Sequence, residues 1–165
     1  MWLAFFKGFG YMGWFKIGKL IVDANGIATG SEDVEIKEGA ELEKVCNHSG
    51  LYYIMANRLD WGRFAAICAP LYKKKLGIPV KDTRFFLAAC FIQHITRLTD
   101  EYTLDYLYVS PDTQYFAGET KFQRQWAVVP EDLSGWKAQI GKETLKPILK
   151  EMEDLEMSIP ANPNN

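Results

Sequence analysis

Histidine and cysteine are scarce in this chain, at two and three of 165 residues. Scarce histidine leaves little room for acid–base or metal chemistry. Cys46, Cys68 and Cys90 are odd in number and widely spaced, so they imply no disulfide framework, and a reducing compartment is the simpler reading. The first 22 residues lack any acid, arginine or serine. They also lack an early basic region and a small-residue cleavage site, and Lys7 interrupts their apolar run, so neither a secretory leader nor a transit peptide is expected. Without a secretory route, the Asn47-His48-Ser49 sequon carries no weight. Internal repeats and long linkers are absent too. The remaining balance, 48% hydrophobic and 24% charged with a net charge of −2, excludes a disordered chain and fits one domain with a real core.

What is present in excess is aromatic. Of the five Trp, eight Tyr and ten Phe, seven lie in the first fifteen residues: Trp2, Phe5, Phe6, Phe9, Tyr11, Trp14 and Phe15. Placed on a helix, residues 2–22 show bulky apolar groups on all sides, and Lys7, Lys16 and Lys19 share no face. A segment without a polar face needs lipid or protein around it, and 21 residues are long enough to cross a bilayer. Residues 1–22 are therefore expected to be an anchor. Gly8-Phe9-Gly10-Tyr11-Met12-Gly13 spells G-x-G-x-x-G, but Phe9, Tyr11 and Met12 would crowd a phosphate, so close packing explains these glycines better.

Beyond this segment the periodicity is helical. Asp23 to Gly26 and Ala28 to Ser31 read as turns or loops, Val34 to Ile36 as a short strand and Glu41 to Cys46 as a short helix. Leu51 to Leu71 follows helical spacing with a break near Gly62, and Lys73, Lys74 and Lys75 complement its C-terminal dipole. Asp82 or Thr83 is placed to cap a helix from Arg84 to about Leu98, and Thr99 starts another. Residues 116–129 are irregular, with Trp126 to Val129 as a strand or an extended arm, Pro130 opens a short helix, and Thr144 caps the last, with an apolar stripe from Leu145 to Leu155. The expected fold is mainly α: a single small helical domain over residues 23–157, with the aromatic segment before it and an extended tail over 158–165.

The chemistry on offer is thin. Cys46 with His48, and Cys90 with His94 at i and i+4, are the candidates for a tetrahedral metal site. Arg58, Asp60 and Arg63 form the densest polar cluster within an apolar helix and are candidates to hold an anionic ligand. No hydrolase, kinase or oxidoreductase signature is present, no family resemblance emerges, and no cofactor is expected. With a pI near 5.7 and no recognisable binding motif, nucleic acid is not expected as a partner.

The leading expectation is thus a non-catalytic accessory subunit of a hetero-oligomeric membrane complex, held by its aromatic segment in lipid or among other subunits. Lys73, Lys74 and Lys75 would meet an anionic surface. A respiratory or ATP synthase complex of the mitochondrial inner membrane is the expected setting. A small soluble metal- or ligand-binding enzyme and a viral structural protein are the alternatives.

Overall fold

The computed structural model describes residues 17–22, 28–34, 36–72 and 79–160. The chain divides into two units, residues 1–37 and 38–165. In the first, strand β1 (Ile17–Val22) pairs antiparallel with β2 (Ala28–Val34), with a register irregularity at Ile21/Val22. Residues 17–22 are therefore not the end of an apolar helix, and Ala28 to Ser31 form a strand rather than a loop. The aliphatic, β-branched residues of Ile17 to Val22 suit a pleated ribbon as well as a helix, and pairing decides between them. Trp2, Phe5, Phe6, Phe9, Tyr11, Trp14 and Phe15 lie outside the described residues, as does the turn at residues 23–27.

The second unit is mainly helical, as expected. Its helices are α1 (Leu42–Val45), α2 (Leu51–Arg58), α3 (Trp61–Cys68), α4 (Thr83–Thr96), α5 (Asp100–Val109), α6 (Pro111–Phe116), α7 (Pro130–Ile140) and α8 (Lys142–Ser158). Short polar side chains set four of these starts. Asp60 accepts from Arg63 N at 2.9 Å, Asp82 from Phe85 N at 3.0 Å, Thr99 from Tyr102 N at 3.3 Å and Ser110 from Thr113 N at 3.3 Å. The break between α2 and α3 thus falls at Leu59–Asp60, and Gly62 lies inside α3. A capping carboxylate ends one helix and starts the next, whereas an exposed helical glycine is merely tolerated.

Helix α4 is the centre. Phe85 to Ile92 are eight consecutive buried residues, so no polar face remains and neighbours must cover every side. Helices α3, α5, α7 and α8 do so. Phe86 stacks on Trp136 of α7 at 5.3 Å, and Phe91 meets Phe116 of α6 edge-on at 5.8 Å. Helix α8 contributes Leu145, Ile148 and Met152, and it starts at Lys142 rather than Thr144, reaching Ser158. The expected tail is consequently helical at its first residue. The loop after α6 is tied back by backbone bonds, Gly39 N to Phe122 O and Phe122 N to Ala40 O, both 2.8 Å. Residues 126–129 form no strand.

The packing predicts a sharp asymmetry. Phe91→Ala should cost about 3–5 kcal/mol in chemical denaturation, while Tyr102→Ala on the exposed face of α5 should stay within about 0.5 kcal/mol.

Candidate functional site

Lys73, Lys74 and Lys75 lie outside the described residues. Cys46 is buried and its thiol donates to Pro111 O at 3.4 Å. His48 stacks on Tyr53 at 4.2 Å, with Nε2 2.6 Å from Glu43 O. Cys90 is in the buried run of α4, and His94 approaches Glu153 of α8 at 3.8 Å. Among the described residues no three His, Cys, Asp or Glu side chains are grouped to hold a metal ion, so Cys46, His48, Cys90 and His94 do not converge. Arg58, Asp60 and Arg63 do not converge on a ligand position either. Asp60 is spent on the α3 cap, Arg63 pairs with Glu151 of α8 and covers the Phe64 ring at 4.9 Å, and Arg58 is exposed.

Two open clefts flank the ends of α4, where its few polar residues are confined. At the N-terminal end a cleft of about 520 Å³ is lined by Tyr72, Lys81, Asp82, Thr83, Gly118 and Glu119, among others. Lys81 pairs with Glu119 at 2.5 Å, and Glu119 accepts from Gln123 Nε2 at 2.6 Å. Arg84 donates to Phe116 O and Tyr115 O, both at 3.0 Å, and lies over the Trp61 ring at 4.8 Å. It thereby caps the C-terminus of α6, and burial pulls its guanidinium below the ordinary arginine value. Gly118 has φ +96°, and an added Cβ would come within 3.0 Å of the Arg84 side chain. Fully buried Gln114 donates to Tyr108 O at 3.1 Å and Gln123 O at 2.7 Å, and accepts from Gln123 N at 2.9 Å. These groups are mutually satisfied and act as framework.

At the other end a cleft of about 370 Å³ is lined by Gln93, His94, Arg97, Lys137, Leu145 and Leu149, with Cys90 behind. Lys137 donates to Gln93 Oε1 at 2.8 Å and pairs with Asp100, which also accepts from Gln93 Nε2 at 2.6 Å. Burial raises the Asp100 carboxyl, but the bonds from Lys137 and Gln93 outweigh it and hold it below the usual carboxylate range. Arg97 ends α4 at φ +60°, left-handed and exposed. The exposed lysines Lys142, Lys146 and Lys150 follow along α8.

Residues 40–128 match the family described as "Transposase domain (DUF772)". The chain belongs to this family. The transposase domain so defined runs from the loop before α1 to the end of the loop after α6, with α4 at its centre, while α7 and α8 follow it. The chain is also similar to "Uncharacterized protein ORF8 in nfe locus" of Rhizobium meliloti, 25% identical over 109 residues, which is 66% of this chain and 52% of that protein. The chain thus spans about half the length of this relative. No solved structure matches it.

The transposase domain overturns the functional expectation. An accessory subunit of a mitochondrial inner-membrane complex does not fit this family, and neither does a viral structural protein. Among the described residues no helix is long and apolar enough to cross a membrane, and the expected membrane-complex partners and membrane location do not fit the transposase family. The exclusion of nucleic acid, which rested on the acidic pI and the lack of a recognisable binding motif, is withdrawn as well, because it does not fit the transposase family. Sequence reasoning missed Arg84, Arg97, Gln93, Lys137 and Gln114. The four-residue spacing of Lys142, Lys146 and Lys150 was the one available signal.

The described thiols offer no reactive group. Burial raises all three: it pushes Cys90 to about 12, and it drives Cys46 up with Asp112 adding to the effect. Thiol titration at pH 8 should therefore show Cys46, Cys68 and Cys90 unreactive in the native protein and all three reactive once it is unfolded. Replacing Gln114 by Leu should cost about 1–3 kcal/mol, read by denaturation, since it leaves buried partners unpaired.

Proposed function

We propose that this chain is a DNA-binding helical domain of a transposition protein, which holds duplex DNA for the reaction. The observation that carries this is the family match over residues 40–128, spanning α1 to α6 and the loop that follows. The surface supports the same reading. Buried thiols and mutually satisfied polar groups fit a binding role for the described residues. The exposed cations Arg58, Arg97, Lys142 and Lys146 make no ion pair among the described residues. Binding of this kind depends on local rather than net charge, so an acidic pI is compatible with it.

Fluorescence anisotropy of a labelled duplex titrated with the full chain tests the reading. Retention is expected at about 50 mM salt, with affinity falling steeply towards about 200 mM as counterions are released. Selection from a randomised duplex library then reports sequence preference. An unchanged anisotropy at low salt, up to the highest soluble protein concentration, would refute DNA binding.

A further inference from the structure

We propose that the face between the C-terminal end of α4 and the first three turns of α8 holds the phosphate backbone of the duplex. This rests on the DNA-binding reading and assigns a surface to it. Lys142, Lys146 and Lys150 follow one another at four-residue steps, each turned by only about 40° from the last, so they form one strip along α8. The strip runs beside Leu145 and Leu149, which line the cleft, and it includes Glu153, which meets His94 of α4 at 3.8 Å. The end of α4, with Arg97 and His94, therefore meets α8 at Glu153, beside the lysine strip.

Counted together with exposed Glu143, which lies beside the strip, the charges at this face leave a small excess of cation. Asp100 is neutralised by Lys137 and Gln93, Glu153 lies between His94 and Lys150 (3.8 and 3.7 Å), and Asp154 pairs with Lys150 at 2.6 Å. Arg97, Lys142 and Lys146 are exposed and make no ion pair among the described residues. Eight residues of helix advance about 12 Å, so the strip is too long for one phosphate and suits a repeating anion. Arg97 is held in the left-handed region at φ +60°, a conformation that most L residues avoid. Duplex DNA is the repeating anion consistent with the family. Phosphate contacts of this kind position a protein without reading sequence.

The test measures duplex affinity against salt for the full chain and two variants. One is Lys142→Gln with Lys146→Gln, and the other is Arg97→Gly. Glycine accepts the left-handed backbone, so Arg97→Gly removes the guanidinium while keeping the turn, and its melting temperature should not fall. The double variant should weaken binding several-fold, equally across sequences, and lower the salt slope by about 2, and Arg97→Gly should lower it by about 1. Lys44→Gln, an exposed substitution on α1, should leave both unchanged. Wild-type binding with unaltered variants overturns this surface and leaves the DNA-binding reading standing. Absence of wild-type binding overturns both. An equal loss of affinity for poly-glutamate in place of the duplex overturns the assignment to nucleic acid.

Discussion

The burial of α4 on every side is the constraint on which the helical unit depends. A helix without a polar face is unstable until other elements surround it, and Phe85 to Ile92 leave no stripe for solvent. Helices α3, α5, α7 and α8 close around it, and α6 adds Phe116 against Phe91. The polar residues of α4 are thereby confined to its two ends. Lys81, Asp82 and Arg84 gather at one end, and Gln93, His94 and Arg97 at the other, and each end opens a cleft. The core thus fixes where a surface can carry function.

The ends differ in kind. At the N-terminal end of α4, charge is matched and bonds are filled, so the groups hold helices and loop together. At the C-terminal end Lys137 and Asp100 form a similar closed network, but the cations beyond it remain open to solvent. Family membership and local electrostatics are independent observations, and the proposed DNA-binding face draws on both. The match ends at residue 128, so the α8 part of the basic face lies outside the shared domain.

Features that repeat or punctuate were legible in the sequence, and features that depend on tertiary pairing were not. The apolar run of α4, the caps at Asp82 and Thr99 and the stripe from Leu145 to Leu155 are local patterns, and the structure follows them. Asp60 was missed as a cap because Gly62 beside it looked like the stronger breaker. Ile17 to Val22 satisfies both strand and helix patterns, and only the partner strand resolves the choice. Gln114 and Arg97 have no periodic signature: one is a buried amide in a polar stretch, the other a positive-φ arginine. Function was misread because the aromatic segment of residues 1–22 pointed to an anchor, while the transposase domain over residues 40–128 carries no motif that local patterns make legible.

Gln114 gives the helical unit a further property. Its side chain fastens α5 through Tyr108 O and the following loop through both backbone groups of Gln123, while α6 carries the amide itself. That loop in turn pairs with the strand-like residues before α1. Segments more than seventy residues apart thereby share a single buried anchor and cannot loosen one at a time. Within the irregular stretch after α6, the amides of Phe122 and Gln123 belong to this network and are therefore coupled to the core, unlike those of the exposed residues around them.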